Sequence, residues 1–478
     1  MNYRMIRYVL GWILIFEAIF LLLPALTSVI YREKELLHIL ITCGICAILG
    51  GLLVLFKPKN TLLFSREGFV IVSLSWITLS IFGALPLYLS GYVSSYVDAL
   101  FETVSGFTTT GATILSDVEI LPRSLLMWRS FTHWVGGMGV LVFIMAFLPL
   151  SGGYNMLIMK AESPGPSVSK LVPRVRTTAL ILYTLYFAFT ILQFVLLLFG
   201  GMNVFEALNT AFATAGTGGF GVKNDSIGSY SPYIQVVVTV FMLLFSINFS
   251  SYYLILNKKF KDAFNTEVRW FLYIAFGAIA IITLNISHLF DSVWEAVRHA
   301  AFTVASIIST TGFMTVDFDL WPNLSRALIV MLMFIGACAG STGGGIKVSR
   351  YMILIKDIIK EFRIMLHPKQ IKKTIVDKRP VANEVIRSIY VYFGTFIIVF
   401  ALSFLLICIE NHDITTAFTA VAATINNVGP GLNLVGPTQN FIFFSDFSKI
   451  VLIFDMLAGR LELFPMLLLF NPATWRKK

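Results

Sequence analysis

Ten apolar runs, at 5–30, 36–56, 67–89, 125–150, 177–200, 233–256, 270–289, 328–355, 386–409 and 450–470, constrain this chain more than any other feature. A helix crosses the roughly 30 Å hydrocarbon layer of a bilayer with about 20 residues, and every run is that long or longer. Only 13% of the 478 residues are charged against 57% hydrophobic, and the mean hydropathy is +0.81. A soluble domain carries about 25% charged residues, so a soluble globular enzyme is excluded. The first run is too long for a secretory signal and has no small-residue cleavage site after it. Cys43 and Cys46 are spaced as CxxC but lie inside the second run without polar ligands, where they read as small hydrophobes.

The formal net charge is +10, from 36 Lys+Arg against 26 Asp+Glu. A nucleic-acid binder would gather such an excess on one face, whereas here it alternates between loops. Basic residues mark 4–7, 57–66, 160–176, 258–269, 347–379 and the terminal Arg476-Lys477-Lys478, all on one side by parity. The positive-inside rule places that side, and both termini, in the cytoplasm.

The opposite loops, 93–121, 203–230, 288–322 and 410–448, each hold an apolar stretch too short to cross and then a glycine-containing polar tract. The tracts are TTTGAT at 108–113, AGTGGFG at 215–221, STTGFM at 309–314 and NNVGPG at 426–431. Aligned on Gly111, Gly218, Gly312 and Gly429, they recur at intervals of roughly 100 residues, too long for a solenoid. The unit is span, re-entrant helix, polar loop, span. Two crossings per unit give all four the same orientation, unlike the odd-numbered repeats of inverted-repeat transporters. The expected fold is an all-α integral membrane protein, an N-terminal two-helix hairpin (1–60) followed by four helix–pore helix–helix units (61–159, 160–260, 261–365 and 366–478) around a central pore.

Irregular backbone at membrane depth must line protein or water, so four such tracts on one axis would present carbonyls to a permeating ion. Glycine permits the backbone conformations this requires, and threonine adds hydroxyl oxygens. The expected ion site is Thr109, Thr110 and Gly111, then Thr217, Gly218 and Gly219, then Thr310, Thr311 and Gly312, and finally Asn427, Val428 and Gly429. Neutral oxygens without clustered carboxylates suit potassium and not a divalent ion. Acids such as Asp98, Glu102, Glu295 and Glu410 outnumber the outer bases Lys223 and Arg298, so the mouth should concentrate cations.

The eighth run contains Gly336, Gly340, Gly343, Gly344 and Gly345 with Ser341 and Thr342, which predicts a helix broken into an intramembrane loop. The last run carries Arg460; read as one helix, it puts Asp455 and Glu462 together on another face, leaving Arg460 to oppose cations in the pore beside that loop. Glu17 in the first run should pair with a neighbouring helix. Arg129 and His133, beside Trp128 and Trp134, are expected to be interfacial anchors. No GxSxG, HExxH or Walker pattern occurs, and GSTGGGIK at 340–347 lacks the Walker GK[ST] ending.

The stretches FETVSGFTTTGATIL (101–115), MWRSFTHWVGGMGVLVF (127–143), AESPGPS (161–167), ATAGTGGFGVKNDSIG (213–228), ISTTGF (308–313), GACAGSTGGGIKVSR (336–350), NNVGPGL (426–432) and AGRLELFP (458–465) together resemble the Trk/Ktr/HKT superfamily of potassium transporters, most closely its bacterial TrkH-type uptake subunits. The resemblance covers the chain from about residue 67 to its end. It implies potassium as the transported ion, four pore units, a homodimer in the lipid of the bacterial inner membrane, and a cytosolic TrkA-type nucleotide-binding ring as regulator. It implies no organic cofactor on this chain, nucleotide only on the regulator, and no nucleic-acid partner. The second tract reads TGGF and the fourth VGPG, departures that bear on selectivity. A KtrB-type sodium-dependent transporter and an inverted-repeat symporter for a small solute are the alternatives. The basic segment 347–379 is longer than topology needs and is expected to dock the regulator.

Overall fold

The computed structural model describes residues 1–58, 64–139, 175–369 and 372–476. The basic positions 59, 160, 170 and 174, the AESPGPS stretch, residues 140–150 of the fourth run and the terminal Lys477-Lys478 lie outside the described residues.

Six of the ten runs stand as apolar helices long enough to cross a membrane: Tyr3–Tyr31, Leu36–Leu55, Ser65–Leu89, Thr177–Phe199, Thr266–Leu289 and Asn383–Glu410. The other four are the runs that follow the polar tracts: the eighth is broken as expected, the sixth and tenth depart from the straight spans expected, and the fourth is described only as far as residue 139. Arg123–Gly137 ends near the limit of the described residues, and Pro232–Phe245 turns by 92° into Phe249–Leu256. Asn323–Phe334 runs into the glycine-rich segment, and Asp446–Arg460 stops at a turn before Phe464–Phe470. Helices of 12 to 15 residues reach only part of the way through a bilayer. The breaks lie just below the polar tracts, where cavity-lining backbone is tolerated.

Four short helices, Tyr96–Phe107, Val204–Gly216, Val293–Ile308 and Ile414–Ile425, lie between the spans. Each begins at a residue whose side chain accepts a hydrogen bond from the first turn: Ser95 from Val97, Asn203 from Glu206, Ser292 from Glu295, and Asp413 from Thr415 and Thr416. Hydrogen bonds from the Asn433 amide and from those two backbone N–H groups hold the Asp413 carboxyl below the usual carboxylate range, so it caps as an anion. Asp98, Glu206 and Glu295 instead occupy first turns, where they complement the positive helix end.

The N-terminal hairpin packs through glycine: a Cβ on Gly11 would lie 2.9 Å from the Gly50 carbonyl oxygen, and one on Gly50 2.8 Å from that of Gly11. Cys46 is buried beside it, and Cys43 and Cys46 are not joined in a disulfide. Glu17 is fully buried, but neither carboxyl oxygen has a hydrogen-bond partner among the described residues, so the expected polar partner is not found. At the other end, the Tyr3 hydroxyl donates to the Trp475 carbonyl (3.0 Å), so the two ends of the chain lie on one face.

Glycine also lets the broken helices close on the short ones. A Cβ on Gly136 would run into the carbonyl oxygen of Phe107, and one on Gly459 into that of Ile425, at the last residues of two short helices. Leucine at Gly459 is therefore expected to destabilise the protein by about 3 kcal/mol or more through overpacking against fixed backbone. Lost monodispersity in detergent and a lowered unfolding temperature would report it; an unchanged melting curve would contradict this packing.

Candidate ion pathway

The four polar tracts share one backbone conformation. The first residue of each is left-handed despite carrying a side chain (Thr109, Thr217, Thr310 and Asn427, φ 53° to 59°), and so is the residue two further on (Gly111, Gly219, Gly312 and Gly429, φ 82° to 99°). Each middle residue donates its N–H into the preceding short helix: Thr110 to Ser105, Gly218 to Ala213, Thr311 to Ser306 and Val428 to Ala423, at 2.8–2.9 Å. This fixes the register. The counterpart of Gly111, Gly312 and Gly429 is Gly219, not the Gly218 on which the sequence alignment was centred. Two adjacent glycines made that slip possible; φ distinguishes them because only Gly219 occupies the region an L side chain avoids.

The tracts close into a ring. A Cβ on Gly111 would collide with the Gly218 carbonyl oxygen, one on Gly219 with that of Thr311, one on Gly312 with that of Val428, and one on Gly429 with that of Thr110. Each glycine thus faces the middle carbonyl of the next tract, in chain order and back to the start. Above the ring lies a cavity of about 150 Å³, lined in part by Gly111, Gly219, Gly312 and Gly429 and open towards Asn224 and Thr438.

Several outer acids do not face that mouth as free charges. Asp98 is buried against Lys449 (2.5 Å), Glu102 against Arg129 (2.7 Å), and Asp319 pairs with Arg326 (2.8 Å). The charge excess read from the sequence is correspondingly smaller, because Arg129 on the fourth run and Arg326 and Lys449, which fall between the outer loops and the runs, neutralise three of these acids.

Below the ring, Ile335 bridges to Ile346, and the chain between them forms an irregular loop at the inner edge of the tracts. Gly344 N–H donates to the Thr310 hydroxyl (2.7 Å), directly under the third tract. The loop also fills the bend of the second unit: Cys338 N–H donates to Ser246 O, Phe249 N–H to Gly340 O, and the Thr342 hydroxyl to Phe245 O. Lys347 is buried with its ammonium on the Gly343 and Gly344 carbonyls. Glu267 accepts from Ala339 N–H (2.7 Å) and Ser349 N–H (3.2 Å), tying together both feet of the loop.

Arg460 reaches this level from the end of the helix Asp446–Arg460. One guanidinium nitrogen donates to the Thr342 carbonyl (2.9 Å) and the Thr109 hydroxyl (3.2 Å), the other to the carbonyls of Gly136 (2.5 Å) and Gly137 (2.8 Å). Its plane lies 5.8 Å from the Trp76 ring. Residues 460 and 462 do not share one helix as expected, because the helix ends at Arg460 and Glu462 and Leu463 are left-handed (φ 54° and 70°), but Arg460 does face groups outside its own helix. Asp455 instead accepts from Ser403 (2.7 Å), and Glu462 pairs with Arg350, whose guanidinium lies 3.9 Å from the Tyr392 ring.

Arg129 and His133 are not interfacial anchors: they are 3% and 0% exposed and sit behind the first two tracts. With Glu102, Lys347 and Glu267 they are the polar residues near the pathway that sequence reasoning missed. The usable signal was one charge and one imidazole four residues apart, on one face of an otherwise apolar helix.

The basic segment is also more structured than a loop. It comprises the helix Val348–Leu366 and a hairpin pairing Ile375–Val376 with Arg379–Pro380; residues 370 and 371 lie outside the described residues. Lys347 and Arg350 are buried, while Lys369, Lys372 and Lys373 are exposed.

Four inward-folded backbone tracts closing a ring among membrane helices define a membrane transport protein and not an enzyme. More narrowly, the chain belongs to the TrkH family, described as cation transport proteins, whose family model matches residues 36–477. The Trk system potassium uptake protein TrkH of Escherichia coli (strain K12) is 35% identical over 485 residues, covering 100% of both chains. TrkG of the same system and organism is 32% identical over 480 residues, covering 99% of both. The crystal structure of the potassium transporter TrkH from Vibrio parahaemolyticus matches with a TM-score of 0.90 at 32% identity over 100% of both chains.

Proposed function

We propose that this chain is the membrane subunit of a potassium-uptake system, conducting potassium through the ring of middle-residue and glycine carbonyls of the four tracts. The single observation that carries this reading is the repeated left-handed pattern at 109/111, 217/219, 310/312 and 427/429, which holds neutral oxygens around one axis. Such a ring replaces the hydration shell of a weakly hydrated monovalent cation. Four like tracts favour the pore over an inverted-repeat symporter. The units run from 61–159 to 366–478 after a hairpin at 1–60, with both termini cytoplasmic. The loop Gly336–Gly345, with Ser341 and Thr342, and Arg460 form the gate beneath the filter. The protein works as a homodimer in the bacterial inner membrane under a cytosolic nucleotide-binding regulator. Radiotracer rubidium flux into proteoliposomes tests the reading: uptake driven by a potassium gradient supports it, and flux no greater than in empty vesicles would sink it.

Regulator docking makes a separate expectation. Reversing Lys369, Lys372 and Lys373 to glutamate should reduce regulator capture at least about tenfold while leaving membrane insertion intact, because exposed basic clusters act through summed charge. Retained capture returns this segment to a purely topological role.

A further inference from the structure

The second tract differs from the others at its middle residue. Thr110, Thr311 and Val428 carry β-branched side chains, whereas the second tract has Gly218. The place of the missing side chain is not empty: a Cβ on Gly218 would collide with the imidazole of His133. That ring comes from the broken helix Arg123–Gly137 of the preceding unit and is fully buried.

His133 also ties down the backbone on both sides of the first two tracts. Its Nε2 accepts from the Phe220 N–H (3.2 Å), and its Nδ1 lies 2.7 Å from the Gly106 carbonyl. An Nε2 that accepts must be unprotonated, so Nδ1 carries the proton and donates to Gly106 as a neutral imidazole. The ring packs on Phe220 at 4.3 Å between centroids. One turn earlier, Arg129 lies 4.0 Å from the other part of this contact, the Phe220 ring, and donates to the Gly221 carbonyl (3.4 Å). Its partner Glu102 accepts from Arg129 Nε (2.8 Å), the Thr113 hydroxyl (3.0 Å) and Ile114 N–H (3.0 Å). The segments that leave tracts one and two are therefore joined through two buried side chains, Glu102 and Arg129, while His133 joins the second of them to the short helix of the first unit. In the third and fourth tracts hydroxyls take this part, Ser306 donating to Phe313 O and Thr419 accepting from Leu432 N–H.

We propose that His133, oriented beside Arg129 and Glu102, is a specificity-positioning residue of the pore: it supplies from a neighbouring helix the bulk that Gly218 lacks and so fixes the carbonyl of Gly218 within the ring. This rests on the reading of the ring as the ion filter. Selectivity requires the four carbonyls to hold a common spacing, and a middle residue without a side chain has no packing of its own to hold it. His133 does not touch the ion; it acts through the backbone of residues 218–220.

The test exploits the steric exchange between the two positions. His133→Ala should lower the ratio of rubidium to sodium flux in proteoliposomes about tenfold, equivalent to roughly 1.4 kcal/mol of discrimination. Gly218→Thr alone should leave little conducting protein, because its side chain meets the imidazole. Combined, His133→Ala/Gly218→Thr gives the second tract the Thr-Thr-Gly sequence of the first and third, and should recover the flux ratio to within about threefold of the parent. His133→Gln, which can keep both hydrogen bonds, should stay near the parent ratio and serves if the alanine variant does not fold. Gly111→Ser is measured alongside. If Gly111→Ser lowers the ratio while His133→Ala leaves it unchanged, or if Gly218→Thr is equally damaging in both backgrounds, the assignment of His133 is overturned. If Gly111→Ser and a second ring variant, Gly312→Ser, also leave the ratio unchanged, the filter reading itself fails.

Discussion

Serine at Gly219 is expected to reduce the ratio of rubidium to sodium flux about tenfold or more, and serine at Gly111 to do the same. Two costs combine at each position. The backbone sits at φ 82° and 83°, where a residue with a Cβ is strained by roughly 1–3 kcal/mol. The added carbon would also meet a neighbouring carbonyl oxygen, that of Thr311 for residue 219 and that of Gly218 for residue 111. Relief of either cost must move a carbonyl of the ring, and each 1.4 kcal/mol of lost discrimination is tenfold in the ratio. The comparison also tests the register: Gly219→Ser should behave like Gly111→Ser, Gly312→Ser and Gly429→Ser. Normal insertion with unchanged ratios at two or more of these four positions would refute the ring as the site of selection.

Hydropathy made the membrane class, the six long apolar helices and the four polar tracts legible, because each depends on composition over many residues. It failed where a local event decides the path. The bend after Phe245 is made by Ser246, Ile247 and Asn248, with Asn248 capping the next helix through Ser250 N–H (2.8 Å), and three residues barely lower a window average. The stop after Arg460 has no glycine beyond Gly459; left-handed Glu462 and Leu463 make the turn, and only Pro465 in the first turn of the following helix hinted at it. The glycine-rich interruption of the eighth run was readable because five glycines sum their helix penalties. Buried polar groups were the hardest to place. Arg129 beside two tryptophans resembles an interfacial anchor in one dimension, and only the fold brings Glu102 within 2.7 Å of it. The same holds for Glu267 and Lys347, whose backbone partners are spread along a loop that the sequence could locate but not shape.

Arg460→Ala is expected to raise basal rubidium flux about tenfold and to weaken its dependence on the regulator. The guanidinium spans the space beneath the ring, joining the Thr342 carbonyl of the loop to the Gly136 and Gly137 carbonyls on the opposite helix end. In the gate proposed above it closes the path in two ways. Its charge opposes a cation leaving the filter; for unit charges some 7 Å apart at an effective dielectric of about 20 this is on the order of 2 kcal/mol. Its hydrogen bonds hold the loop under the third tract, where Gly344 already meets the Thr310 hydroxyl. Alanine removes both effects, whereas lysine keeps the charge but cannot span the same carbonyls from one planar group. Arg460→Lys should accordingly fall between parent and alanine. Deleting Gly343 and Gly344 separates the two contributions: with Arg460 in place but the loop too short to reach the tracts, basal flux should rise less than in Arg460→Ala. If the alanine variant inserts normally, elutes as the parent does and conducts no faster, the barrier to conduction lies elsewhere in the pore.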